Sequence, residues 1–182
     1  MEKSVFIDRD IRAVVSTQES GHLIQVGRLF FLASLAFQQR YWYSKTMKLL
    51  MLYTDRFSYR PAHKALENQP YCSEPGEIFD AVIGLIHSEA IDEENAPGVE
   101  KKLVKNLKWG ARKNETRRVV LHTFSHLAET KASADFTKSL LMRVKERLGK
   151  AGYEVSQTPF GYFLDLDLQA PGRSTARIFS SF

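Results

Sequence analysis

Pro159-Phe160-Gly161-Tyr162 opens the run that decides the fold, Gly161 to Leu168. Tyr162, Leu164, Leu166 and Leu168 alternate there with Phe163, Asp165 and Asp167. A repeat of two predicts a strand with one face buried and one wet. Pro159 stiffens the approach and removes a backbone donor. Gly161 has no side chain, so backbone and a neighbour or ligand can come close there. Just upstream, Tyr153 to Ser156 reads as a short extended piece. Before it, Phe136, Leu140, Leu141, Val144 and Leu148 trace one face of a helix. Ser133 is its expected N-cap, Asp135 suits its positive start, and Gly149 and Gly152 bracket its end.

Further out, elements keep alternating. Arg118 to Thr123 is a predicted strand with Val119, Val120 and Leu121 at its centre, and it delivers Phe124-Ser125-His126-Leu127. Pro97 suits the first turn of another helix, expected to run to about Trp109 and end near Gly110. Val99, Leu103 and Leu107 make its buried stripe, while Lys101, Lys105, Lys108 and Arg112 lie opposite. Asp92-Glu93-Glu94-Asn95 is a polar turn. Ile78 to His87 is too continuously apolar for a wet face and reads as a buried strand. Lys48 to Tyr53 is a further buried strand, expected to end in a turn at Thr54-Asp55. Pro171-Gly172 is a turn, and Thr175 to Phe179 is the expected last strand. Strands alternating with helices predict an α/β (α+β) domain with two main amphipathic helices.

Composition narrows the class. Of 182 residues, 43% are hydrophobic and 26% charged, which is ordinary for a globular domain. The formal charge of +5 is compatible with a polyanionic partner. A single cysteine, Cys72, excludes an internal disulfide and fits a reducing cytoplasm. The longest apolar run, Val26 to Phe37, contains Arg28 and is shorter than the ~20 residues that span a bilayer, so no membrane contact is expected. His22, His63, His87 and His122 show no metal-ligand spacing and receive no role. No phosphate-binding glycine loop is present. Neither metal nor cofactor is expected.

Residues 1–46 have a different texture, with Arg9-Asp10-Ile11-Arg12, the Phe30-Phe31-Leu32 run and Tyr41-Trp42-Tyr43. Two short strands or one poor helix can be drawn there. At Met47 the character changes, and the domain is expected to span 47–182. Residues 1–46 are then either the product of a start codon placed too early, with Met47 the true start, or a genuine N-terminal extension packed on the domain.

The order strand, Phe124-Ser125-His126-Leu127, charged helix, Pro159-Phe160-Gly161-Tyr162, strand resembles the editing domain of archaeal-type threonyl-tRNA synthetases. The opening strand with Asp55, Tyr59, and the segment Ile83 to Asn95 extend the resemblance over essentially all of 47–182. It implies the fold of D-aminoacyl-tRNA deacylases, with a reaction pocket between the His126 loop and the Pro159–Tyr162 segment. It further implies hydrolysis of serine wrongly esterified to threonine tRNA. The expected partners are the acceptor end of tRNA, threonyl-tRNA synthetase, and a second copy of the chain in a homodimer, in the cytoplasm.

Such a reaction needs a placed water, donors for the oxyanion, and a proton path to the ribose oxygen. By resemblance His126 and Asp165 are the candidate catalytic groups. Asp55, Phe124, Pro159, Phe160, Gly161 and Tyr162 are candidate substrate contacts, with Phe160 or Tyr162 stacking on the terminal adenine or simply packing as core aromatics. Lys101, Lys105, Lys108 and Arg112, with Arg173 and Arg177, are candidate tRNA contacts; the helix stripe reads equally as a solvated face. The family's Tyr-Lys pair is replaced here by Phe163 and Leu164, and its later acid by Arg177. Two outcomes stand: hydrolysis by other groups, or a catalytically silent module that binds tRNA or the synthetase. A deacylase for other or D-aminoacyl-tRNAs is the third reading.

Overall fold

The structure is a computed structural model that describes residues 5–6, 12–13 and 46–182. The chain divides into two compact units, Met1–Ser44 and Lys45–Phe182. In the first, β1 (Val5–Phe6) pairs antiparallel with β2 (Arg12–Ala13). The other readings made for 1–45 lie outside the described residues.

The second unit is one mixed sheet with two helices. Its strands are β3 (Lys48–Lys64), β4 (Gly76–His87), β5 (Arg118–Thr123), β6 (Glu154–Gln157), β7 (Tyr162–Gln169) and β8 (Arg177–Ser181). The order is β6-β5-β4-β3-β7, with β8 also on β3. The pairs β4–β5 and β5–β6 are parallel; β3 is antiparallel to β4, β7 and β8. Helix α1 spans Ala96–Lys113 and α2 spans Ala134–Lys150.

The expected turn at Thr54-Asp55 does not form. β3 runs through it for 17 residues. Thr54 is fully buried and pairs with Ala81, to whose carbonyl its hydroxyl donates, so a polar residue is satisfied inside the sheet. Beyond it, Arg56 bonds Glu77 on β4 and Asp167 on β7, both at 2.7 Å, and Arg60 reaches Asp165 at 3.4 Å. The long strand is therefore shared: β8 pairs with its first part and β7 with its second.

Both helices cover one face. Val99, Leu103, Leu107 and Ala111 of α1 and Leu140, Leu141, Val144 and Leu148 of α2 pack with Met47, Leu49, Met51, Val119 and Leu121 of the sheet. Glu100 bridges the helices, accepting from Arg143 and Arg147 at 2.8 Å each. Burial alone would raise its carboxyl, but the two guanidinium bonds outweigh that and hold it below its ordinary value. α1 does not stop near Gly110; it continues to Lys113. Gly110 is buried against Met51, where a β-carbon would meet the sulfur at 2.8 Å, so the glycine serves close helix–sheet packing rather than termination. Ser133 caps α2 as expected, accepting from the Phe136 amide. The last strand starts later than expected, after a 3-10 turn at Ser174–Ala176. The opposite face of the sheet carries a smaller core of Phe57, Ala81, Ile83 and Val120, with Tyr59, Ile78 and Leu168 against it.

Candidate functional site

A cleft of about 350 Å³ opens at the carboxyl ends of β4 and β5, where parallel strands leave their last side chains facing a gap. One wall is Phe124, Ser125 and His126; another is Phe160, Gly161 and Tyr162 followed by Phe163, Leu164 and Leu166. The structure thus brings together the two motifs that the sequence analysis singled out, which lie more than thirty residues apart in the chain.

The end of β4 holds the His126 loop at both ends. The Phe124 amide donates to the Ile86 carbonyl at 2.9 Å, and the Ala132 amide to the Ser88 carbonyl at 2.8 Å. Between them, His87 Nε2 lies 2.6 Å from the Thr130 carbonyl, and the Thr130 hydroxyl donates to Glu89. Past the end of β5 the chain bends into a turn at Ser125 and His126, and His122, Phe124 and His126 all line the cleft. The rings of His122 and Phe124 are 6.1 Å apart, and His126 meets Phe124 edge-on at 5.4 Å. His126 is exposed at the mouth.

The opposite wall is anchored by the segment after β6. The Gly161 carbonyl accepts from the amides of Ala65 at 2.8 Å and Leu66 at 3.2 Å. Gly161 has φ +76°, and a β-carbon would sit 2.7 Å from Gln69 Cγ. Its close neighbour is thus the chain's own 65–69 segment, which is a structural demand and not only an opening for ligand. The Tyr162 hydroxyl donates to the Pro70 carbonyl and accepts from the Cys72 amide, both at 2.9 Å. That clasp fixes Tyr162 as the tie of the 70–72 loop. Phe160 is half-buried, packs against the helix-backed core and lines the cleft. Pro159 lines a separate depression with Tyr59 and Cys72.

Several expected contacts lie elsewhere. Asp165 is on the wet side of β7, paired with Arg60, because alternation turns it away from the face that carries Leu164 and Leu166. Asp55 is exposed in the middle of β3 and does not line the cleft. Arg173 stacks over the Tyr53 ring at 4.7 Å and borders a polar hollow with Asp80, Arg117 and Arg118. Arg177 is exposed on β8 and does not line the cleft. Lys101, Lys105 and Arg112 are exposed and Lys108 half-buried on α1, away from the cleft. Phe163 and Leu164, which the resemblance sets against the family's Tyr-Lys pair, do line it.

Two histidines given no role belong to the cleft. His122 is 6% exposed, and its Nδ1 is 2.9 Å from the Thr158 hydroxyl, next to Pro159. Burial drives its pKa down to about 4, so its ring is neutral at pH 7. His87 is 1% exposed, and its Nδ1 has no partner. Ser88 Oγ and Glu89 Oε1 are also buried without partners. Their signal in the sequence is position: His87 ends the Ile78 run and His122 ends the Val119 run. The 34 residues between them hide a neighbourhood that only parallel pairing creates.

Residues 47–182 match the model of the archaea-specific editing domain of threonyl-tRNA synthetase. The threonine–tRNA ligase of Thermococcus kodakarensis is 30% identical over 135 residues, which cover 72% of this chain and 22% of that protein. That of Methanopyrus kandleri is 29% identical over 134 residues, 72% and 21% respectively. The chain thus spans about a fifth of the length of these relatives. A solved structure titled c-Myc DNA unwinding element binding protein shares the fold, with a TM-score of 0.53 at 12% identity over 74% of this chain and 98% of that one. The architecture is the D-aminoacyl-tRNA deacylase-like one. Among the described residues, no helix is long and apolar enough to cross a membrane.

Proposed function

The chain belongs to the archaea-specific editing-domain family of threonyl-tRNA synthetase, and from that premise we propose that it hydrolyses mischarged aminoacyl-tRNA, with Ser-tRNA(Thr) as substrate. The observation that carries the reading is the shared cleft of His126 and the Phe160–Gly161 segment at the strand ends. In this reading the acylated 3′ end enters between the two walls. His126, exposed at the mouth and braced by Phe124, orients water or substrate, since an imidazole accepts or gives a proton near neutrality. Phe160 offers a stacking surface for the terminal adenine, and Lys131 at the rim neutralises phosphate. The exposed Lys101, Lys105, Lys108 and Arg112 row and Arg173 and Arg177 contact the tRNA backbone. The protein acts in trans in the cytoplasm, as a homodimer, beside threonyl-tRNA synthetase. Asp165, committed to Arg60 on the far face, is left without a part in the chemistry.

A second reading is favoured by Leu164. It lines the cleft where the resemblance leads one to expect a lysine, and leucine neither donates nor carries charge. The protein would then bind tRNA or the synthetase without turnover. Incubation of purified protein with Ser-tRNA(Thr) and Thr-tRNA(Thr) separates the two. Deacylation predicts serine release, sparing of the threonyl ester, and a loss of about a hundredfold in His126→Ala. Tight, salt-sensitive tRNA binding with both esters intact would support the silent module and overturn the hydrolase. Release of other amino acids from a panel of aminoacyl-tRNAs would move the substrate while keeping the reaction.

A further inference from the structure

Phe160 and Tyr162 line the cleft and also line a second depression of about 460 Å³, so the two cavities share a wall. The first turns of α2 pass along both: Ala134 and Thr137 line the cleft, and Lys138, next in the chain, borders the depression. Flat, stiff surfaces dominate the second cavity. Tyr59 lies against Gly76, where any β-carbon would collide with its ring. Pro70, Pro75 and Pro159 add rings with almost no side-chain freedom to lose. The two 2.9 Å bonds of the Tyr162 hydroxyl tie the 70–72 loop to this wall, so the surface is formed before a ligand arrives. Its polar groups are few and uncommitted. Gln69 accepts from the Lys138 ammonium at 3.0 Å and holds it at the rim. There Lys138 has no carboxylate partner among the described residues. The Gln157 amide and the Glu74 carboxylate also line the depression, and neither side chain has a hydrogen-bond partner among the described residues.

We propose that this depression is a subsite for the nucleotide that precedes the terminal adenosine of a tRNA. A nucleobase stacks by its face and is read at its edge, and its phosphate needs a cation; an apolar peptide side chain would leave Lys138 and Glu74 unused. All tRNAs end in CCA, so the base is cytosine. It lies on the surface of Tyr59 and the prolines, and its amino group donates to Glu74, the contact a carboxylate makes with this base. The phosphate that joins it to the terminal adenosine meets Lys138. The shared wall selects this occupant: a strand whose last nucleoside fills the cleft passes its next unit over Phe160 and Tyr162. The inference rests on the reading that the 3′ end enters the cleft. It does not require hydrolysis, so it applies to the deacylase and to the silent module alike.

The test is calorimetry of the full chain with three stable ligands: 3′-seryl-amino-3′-deoxyadenosine, its 5′-phosphate, and its 5′-cytidylyl derivative. The phosphate is expected to raise affinity about threefold, the scale of one exposed charge contact. The cytidylyl group should raise it about tenfold more, the scale of a base stacked on an aromatic ring. Lys138→Gln, at an exposed position, should erase the increment from the phosphate. Cys72→Phe adds a ring at a residue that lines the depression and should remove most of the increment from the cytidylyl group. A cytidylyl ligand that binds no tighter than the 5′-phosphate, while the nucleoside still binds, would overturn the subsite and leave the 3′-end reading intact. Binding of none of the three would overturn both. A full cytidylyl increment in a folded Cys72→Phe would overturn the location. Should that variant not fold, Lys138→Gln decides: an undiminished phosphate increment there overturns the location, and its loss supports it.

Discussion

Strand β5 and its continuation change character within a few residues. Val119, Val120 and Leu121 are at most 1% exposed and fill both cores, one on each face of the sheet. His122 lies near the strand's end, Phe124 just past it and His126 in the turn beyond, and all three line a cleft. The first stretch leaves no side-chain polar group to satisfy. The second ends beside His87, Ser88 and Glu89, where three buried polar atoms lack partners. The lesson is a division of labour along one strand. Apolar burial in the first half supplies stability of about 1.5–3 kcal/mol per large side chain. The second half tolerates unsatisfied groups, which cost stability and suit binding.

The comparison breaks if a core change damages the cleft or a cleft change behaves like a core change. The largest expected effect is Leu103→Ala. Leu103 is fully buried in the helix-backed core, and truncation should cost about 3 kcal/mol by lost burial and a residual cavity. Urea unfolding should show a lower midpoint, while kcat/KM per folded molecule stays unchanged. Loss of activity beyond the unfolded fraction would mean that the two regions are not separable.

His122 tests the other half. Its folded pKa of about 4 lies below the ordinary 6.5, so the unfolded chain takes up a proton that the native ring refuses. Stability contributed this way is full above pH 6.5, falls as pH drops through that value, and is gone near pH 4. The whole change is about 3 kcal/mol by the size of the shift. Asp92 works against it in acid: burial raises its pKa, so its native form takes up a proton early. The comparison must therefore be a difference. Unfolding free energies of wild type and His122→Gln should converge between pH 7 and pH 4. Parallel curves would show that His122 is not held neutral by the fold.

Local signals carried most of the fold. The Ser133 cap, the stripe of α2 and the alternation of β7 depend on residues within a few positions of one another, so periodicity finds them. The Thr54-Asp55 turn was misread because two polar residues in a strand look like a break until their partners are known. Those partners, Ala81 for Thr54 and Glu77 and Asp167 for Arg56, lie on other strands. The site was half legible. Motifs located His126 and Phe160, and the alternation that paired Asp165 with Phe163 gave no hint that Arg60 would claim the aspartate. His87 and His122 were invisible as a pair, since a parallel register joins them and no spacing rule describes it.

Gly161 stands on the boundary between the two regions, and the smallest of the three effects sharpens where that boundary runs. Its φ of +76° disfavours any side chain, and a β-carbon would press on Gln69 Cγ at 2.7 Å and Leu66 Cβ at 3.1 Å. Gly161→Ala should therefore cost about 2 kcal/mol, roughly the left-handed penalty plus some overpacking. If the glycine serves the chain's own packing, the loss appears in thermal unfolding, and hydrogen exchange quickens at the Ala65 and Leu66 amides, which bond its carbonyl. Hydrolysis then falls only with that loosening. If stability is unchanged and substrate binding collapses, the space beside Gly161 belongs to the ligand, and the structural side of the comparison ends one residue earlier, at Phe160.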